Sequence, residues 1–257
     1  MAATHVTYVG HATVHIALDG VRLLTDPLLR SRAGHLRRRG RVDAGALRGI
    51  DTILVSHAHY DHLDIPSLER LGRITPIVVP RGLGALVRRR SFAHVVELDA
   101  GEAIAVGAVS VTATVAEHDG SRGPFAAGPA LGYLVEGSQR VYFAGDTDLF
   151  PGMAEIGQDL DVALVPIWGW GPSLGRGKHM DPERAAESLT LLRPRVAVPI
   201  HWGTYHPIHL GLREAPRYLT EPAERFVRAA AEAAPDVEVR VLRPGETLSL
   251  GTESRWG

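Results

Sequence analysis

The apolar positions of this chain fall in short runs at hairpin spacing rather than in long helical stripes. Runs at residues 6–9, 14–18 and 21–25, the last two separated by Asp19-Gly20, predict an antiparallel meander with a tight turn. Further strands are predicted at residues 52–55, 77–79, 95–98, 109–115, 131–135 and 141–143. The second half adds 162–166, 196–200, 237–242 and 247–250. Helices are fewer: short ones at 64–71 and 83–89, a longer one at 222–233, and one that runs to about residue 192. That last helix has a strong start, with Asp181 as N-cap, Pro182 at the first helical position and Glu183 in the first turn. Residues 30–41 are Arg- and Gly-rich and read as a loop, with the 37–41 basic run as solvated surface. Strands with helices interspersed through both halves predict an α/β architecture of packed sheets flanked by helices.

With 257 residues, 45% of them hydrophobic, the chain can bury a sizeable core, and nothing divides it, so one domain over residues 1–257 is expected. The formal net charge is −1, from 28 basic and 29 acidic residues, which argues against a nucleic-acid partner. Cysteine is absent, removing thiolate nucleophiles, disulfides, iron–sulfur clusters and cysteine-ligated zinc from consideration. The N-terminus shows no signal-peptide pattern and no apolar run reaches the length of a membrane span, so a cytoplasmic protein is expected. Nothing in the pattern specifies an oligomeric state. Histidine is the outlier, with 13 copies, several of them clustered.

The sharpest cluster is Ser56-His57-Ala58-His59-Tyr60-Asp61-His62, at the end of an apolar run. Imidazole and carboxylate suit zinc and neighbouring first-row metals, and a strand end that turns sharply can aim His57 and His59 at one ion while Asp61 and His62 face another. Three more apolar runs end alike, in His118, in Gly145-Asp146 and in His201. Together they supply five histidines and two aspartates, too many for one tetrahedral ion. If Asp146 is shared, each of two ions receives four protein contacts, and a bridging water completes a two-metal site with ions roughly 3.5–4 Å apart.

This order and spacing, covering nearly the whole chain, resemble the metallo-β-lactamase-fold hydrolases. The resemblance implies an αββα sandwich, two mixed sheets flanked by helices, with the site at one edge of both. It also implies that His57, His59 and His118 hold the first metal, that Asp61, His62 and His201 hold the second, and that Asp146 bridges. Gly10-His11-Ala12-Thr13, Thr25-Asp26-Pro27, Lys178-His179-Met180-Asp181-Pro182 and Ile200-His201-Trp202-Gly203-Thr204 look like one subgroup of that family. It contains the ascorbate-6-phosphate lactonases and the N-acylphosphatidylethanolamine-hydrolysing phospholipases D. Asp26 is then expected behind the ligands, orienting one of them or a bound water, or else as a turn aspartate before Pro27, with His11 facing the site or serving as a structural histidine.

The expected function is a binuclear hydrolase in which a metal-bridging hydroxide attacks a phosphodiester, lactone or ester of a small, phosphate-bearing substrate. Asp146, Asp61 and His179 are the expected catalytic residues, with His179, just before a capped helix, contacting substrate and no metal. Trp168 and Trp170, in a glycine-rich stretch, read as pocket wall or core, and Ser121-Arg122 as an anion-binding pair or a surface turn. His206 and His209 read as rim or surface. Zinc is the expected metal, with manganese or iron open by the Irving–Williams order. The competing reading is a non-catalytic metal-binding or ligand-sensing module of the same fold. The absence of a cysteine ligand disfavours a β-lactamase.

Overall fold

In the computed structural model, which describes residues 3–42, 47–123, 126, 128–168, 178–208 and 219–251, the chain opens with the expected antiparallel meander. It comprises β1 (Thr4–Gly10), β2 (Thr13–Leu18) and β3 (Val21–Thr25). Next comes a short hairpin, β4 (Arg32–Ala33) and β5 (Leu36–Arg38). β6 (Thr52–Leu54), β7 (Ile77–Pro80) and β8 (Val95–Leu98) then add in parallel beside β3, with α1 (Ile65–Leu71) and α2 (Gly84–Arg88) in the connections.

The second sheet repeats this plan. β9 (Ala103–Val106), β10 (Val109–Val115), β11 (Leu131–Glu136) and β12 (Arg140–Phe143) form an antiparallel meander, followed by the short helix α3 (Met153–Ile156). β13 (Val162–Pro166) and β14 (Val196–Ile200) continue it in parallel, with α4 (Pro182–Leu192) between them. β15 (Tyr205–Pro207) pairs with β5, α5 (Glu221–Ala233) follows, and β16 (Glu238–Val239) joins β14. The final strand, β17 (Thr247–Leu250), returns to β1. The two seven-stranded sheets run β17-β1-β2-β3-β6-β7-β8 and β16-β14-β13-β12-β11-β10-β9.

Hydrophobic alternation explains the layering. In β10, Val109, Val111 and Ala113 are buried and alternate with half-buried positions, so one face is dry. A core of Tyr8, Val14, Ile16, Leu54, Val111, Tyr133, Phe143, Leu164 and Val198 fills the space between the sheets. Leu189 and Phe226, from α4 and α5, cover the outer face of the second sheet, and Leu68 and Val87, from α1 and α2, cover the first. This is the αββα sandwich implied by the resemblance. No helix among the described residues is long and apolar enough to cross a membrane.

Two expectations need correction. Residues 30–41 are not a plain loop: β4 and β5 turn at Gly34, whose φ of 56° suits glycine, and β15 joins them as a three-stranded ribbon. Nor is the basic run uniformly solvated. Arg38 points inward and is only 7% exposed, its guanidinium donating to the carbonyls of Val9 and Leu28 while the Arg37 and Arg39 side chains stay outside. Strand alternation, invisible in an unbroken arginine run, makes that separation.

Candidate metal centre

Strand β6 stops at Leu54, and the next eight residues fold into a tight loop. Ala58 N–H donates to the Gly120 carbonyl at 3.0 Å, and the N–H groups of His62 and Leu63 both donate to the His59 carbonyl. Helix α1 starts directly afterwards. Its N-cap Asp64 accepts from Ser67 N–H and is gripped by the Arg30 guanidinium, so the loop is anchored at its far end. His57, His59, Asp61 and His62 are thereby displayed at one edge of the first sheet.

The second sheet delivers its residues to the same edge. His118 lies three positions beyond β10, and His201 follows β14 immediately. Asp146 comes from a turn that requires glycine at Gly145: φ is +62°, and a Cβ there would lie 2.8 Å from both the Leu131 carbonyl oxygen and the Ser56 Cβ.

The seven side chains converge as two groups with Asp146 between them. His57, His59 and His118 form one: His59 Nδ1 lies 2.9 Å from His57 Nε2 and 3.2 Å from His118 Nε2. Asp61, His62 and His201 form the other, joined by His11. Asp61 Oδ2 sits 3.8 Å from His62 Nε2 and 3.9 Å from His201 Nε2. Asp146 Oδ2 is 3.2 Å from His62 Nε2 and 4.0 Å from His57 Nε2, while its Oδ1 faces His201 Nε2 at 3.4 Å. One carboxylate thus touches members of both groups.

The partners of the far ring nitrogens set which nitrogen faces the centre. Ser56 Oγ donates to Asp26 Oδ2 and therefore accepts from His57 Nδ1, at 2.9 Å. His118 Nδ1 donates to the Lys178 carbonyl at 2.7 Å, His201 Nδ1 to the Trp168 carbonyl at 2.6 Å, and His62 Nδ1 to Asp26 Oδ2 at 2.7 Å. In the neutral tautomer each of these rings turns an Nε2 lone pair inward, the arrangement found around metal-ligating histidines. The inward atoms include His62 Nε2 and Asp146 Oδ1, both buried and without a well-aligned hydrogen bond. Buried polar atoms left this way are costly unless something else satisfies them. Nitrogen and oxygen donors in this density fit divalent first-row cations, zinc among them.

The electrostatics agree. Burial pushes the His57 imidazole well below the ordinary histidine range and brings His201 and His179 down to about 4. His59 and His11 are lowered for the same reason. Burial opposes charge on His62 too, but Asp146, Asp26 and Asp61 outweigh it and hold that imidazole well above its usual value. Burial would raise Asp61 and Asp146, yet the surrounding imidazoles hold both well below the usual carboxylate range. Three carboxylates around one imidazolium make a hollow of negative charge, into which a dication fits.

Asp26, fully buried, accepts from Ser56 N–H, Ser56 Oγ and His62 Nδ1, so it stands directly behind the ligands. His11 Nε2 lies 3.0 Å from Asp61 Oδ2. His179, two residues before the Asp181 cap of α4, has Nδ1 3.4 Å from Asp146 Oδ2 and its ring 4.6 Å from that of His118. Its atoms also group with those of His118 and Asp146 at metal-binding separations. Arg122 is turned to other tasks: it donates to the Leu63 carbonyl at 2.6 Å and lies over the Tyr60 ring. The Trp168 side chain, 8% exposed, packs in the core beneath α4, and it is the backbone carbonyl that reaches the site. Trp170 and His209 lie outside the described residues, and His206 sits half-buried on the ribbon.

Sequence reasoning overlooked Ser56, which links Asp26 to His57, and the carbonyls of Lys178 and Trp168. A serine beside a ligand histidine was the only available signal for the first. A backbone carbonyl leaves none.

Residues 21–202 match the family described as the β-lactamase superfamily domain. A UPF0173 metal-dependent hydrolase of Methanopyrus kandleri is 32% identical over 94% of this chain and 98% of its own length. An N-acyl-phosphatidylethanolamine-hydrolyzing phospholipase D of Caenorhabditis elegans is 32% identical over 86% of this chain and 68% of its own. Among solved structures, the metallo hydrolase Igni18 of Ignicoccus hospitalis superposes with a TM-score of 0.72 at 26% identity, covering 97% of this chain and 99% of that one. The diiron β-hydroxylase CmlA of Streptomyces venezuelae shares the fold, with a TM-score of 0.73 at 22% identity over 96% of this chain and 54% of its own. With two sheets delivering these histidines and aspartates to one shared edge, and a family match spanning most of its length, this chain belongs to the metallo-β-lactamase superfamily.

Proposed function

We propose that this chain is a binuclear metal-dependent hydrolase that cleaves a phosphodiester, or a lactone or ester, in a small phosphate-bearing substrate. The observation that carries this reading is Asp146, a carboxylate within 4.0 Å of imidazoles in both ligand groups. His57, His59 and His118 would hold one ion, Asp61, His62 and His201 the other, with Asp146 shared. Bound there, two dications supply a water acidified toward neutrality and polarise the oxygen under attack.

The chain's own residues have separate tasks. Asp26 keeps the Nδ1 proton on His62 and, through Ser56, on His57, so both rings keep their lone pairs inward. His179 is neutral at working pH, because burial brings it down to about 4, and it serves as an N–H donor to the substrate's charged oxygen. The capped N-terminus of α4, two residues on, adds positive potential to the same region. The relationship to the nematode phospholipase D favours a phosphate-bearing substrate.

The test begins with elemental analysis of protein purified with zinc, manganese or iron supplied. Close to two ions per chain is expected, and one ion would sink the binuclear reading. The loaded protein is then assayed against a panel of phosphodiesters and lactones. Turnover of one class is the expected result, and stoichiometric metal without turnover of any ester would favour the non-catalytic module.

A further inference from the structure

His11 occupies the turn between β1 and β2 and is 1% exposed, yet it belongs to neither ligand set proposed above. Two of its connections lead to ligands carried by different sheets. Its side chain meets Asp61, from the first sheet, with Nε2 3.0 Å from Oδ2. Its backbone carbonyl accepts from the N–H of His201, from the second sheet, at 2.8 Å, and the two rings lie tilted by 37° with centroids 4.1 Å apart. Asp61 is the most open of the group, 21% exposed, and so has the greatest need of something to hold it.

The backbone is arranged to keep His11 there. Both His11 and His201 adopt left-handed conformations, φ 61° and 62°, which cost a non-glycine residue energy and persist only where surroundings impose them. The His11 N–H donates to Tyr8 Oη at 3.0 Å and Thr204 Oγ1 at 2.9 Å, and Tyr8 Oη in turn donates to the Trp202 carbonyl. Gly10 makes room for this packing, since a Cβ there would come within 2.8 Å of Thr204 and the Arg38 guanidinium.

We infer that His11 is a positioning residue for the second metal ion: its Nε2–H holds the Asp61 carboxylate at Oδ2, the oxygen that faces His62 and His201, while its carbonyl fixes His201. The inference rests on the two-ion reading. It predicts selectivity, because no contact links His11 to His57, His59 or His118 among the described hydrogen bonds. Loss of a partner behind a metal ligand typically weakens binding by roughly 10–100-fold.

Zinc is titrated into metal-free wild type, His11→Asn and His11→Gln against a chromophoric chelator, with the melting temperature of each metal-free protein recorded. Asparagine tolerates the left-handed backbone but is too short to reach Asp61, whereas the glutamine amide nitrogen reaches about as far as Nε2. His11→Asn is expected to bind the first ion within about threefold of wild type and the second roughly 10–100-fold more weakly. His11→Gln is expected to recover most of that loss. Wild-type binding of both ions by His11→Asn overturns the inference, as does equal weakening of both, which would mean the turn supports the fold as a whole. Loss without rescue by glutamine also overturns it, because His11 would then be a ligand itself. A wild type that takes up a single ion fails the two-ion reading and this inference together. Two ions in the wild type without the selective loss fails this inference alone.

Discussion

Replacing Asp26 with asparagine changes one atom, and the structure sets its cost. The buried carboxylate accepts three hydrogen bonds: Ser56 N–H on Oδ1 at 2.7 Å, Ser56 Oγ–H on Oδ2 at 2.5 Å and His62 Nδ1–H on Oδ2 at 2.7 Å. An amide presents one oxygen and one NH₂, so in either orientation a donor faces a donor. If the NH₂ faces His62, the ring relieves the conflict by giving up its Nδ1 proton and keeping the one on Nε2, which ties up the lone pair meant for a metal. If it faces Ser56 N–H, that amide is left buried and unpaired. A hydrogen bond to a charged group is worth about 1.5–3 kcal/mol, so losing one outright, partly offset by no longer burying a charge, costs the metal-free protein roughly 1–2 kcal/mol. For a domain of this size that lowers the melting temperature by roughly 2–8 °C. Because Asp26 stands behind His62 directly and behind His57 through Ser56, both ions should weaken by about 10–100-fold each, unlike the selective effect expected at His11. Calorimetric melting of metal-free Asp26→Asn and chelator competition check the two figures. An unchanged melting temperature together with wild-type affinity for both ions would refute the assigned role.

Three further outcomes follow from the centre. Asp146→Asn should lower kcat far more than it raises KM, with the metal content of each sample measured beside the rate; near-wild-type turnover at full occupancy would show that Asp146 is not shared. His179→Ala should keep two ions per chain and its melting temperature while losing about 10²–10³ in kcat, and loss of metal instead would make His179 a ligand. Metal-free protein should be less stable at pH 5 than at pH 7: His57, His59, His11, His179 and His201 are all held below 6.5, so the unfolded chain binds protons there that the folded one refuses. His62, held high, contributes fully below 6.5 and cannot offset that loss, while Asp61 and Asp146, held low, lose theirs only below the ordinary carboxylate range. A melting temperature flat between those pH values would contradict the burial argument.

The parts of the centre legible in the sequence share one property: their chemistry resides in residue type. His57, His59, Asp61 and His62 follow an apolar run closely enough to betray a strand end, and His118, Asp146 and His201 end runs of the same kind. Strands with clean alternation, such as β10, were legible too. What stayed hidden depends on position alone. The Trp168 and Lys178 carbonyls orient two imidazoles, yet any residue carries a carbonyl. Arg37 and Arg38 are chemically identical, and only the pleat of β5 sends one inward. β4 and β15, at two and three residues, are too short for a period to register. β16 covers only Glu238–Val239 of the expected six residues, with Arg240 N–H adding one last bond to the Ala197 carbonyl of β14.

The seam along which the sheets meet carries a further meaning. His57 and His59 reach it from one sheet and His118 from the other; Asp61 and His62 come from one, His201 and Asp146 from the other. Each ion would therefore rivet two halves that are otherwise joined mainly by greasy contact, as a disulfide does in secreted sandwiches. This chain has no cysteine with which to make one. Anything that binds only the folded state adds to its stability in proportion to the logarithm of its free concentration, about 2.7 kcal/mol at a hundredfold excess over Kd. Metal supply then acts on how long the molecule survives as well as on how fast it works. A cell that withholds the ion would loosen the joint between the sheets and leave the protein easier to unfold and degrade.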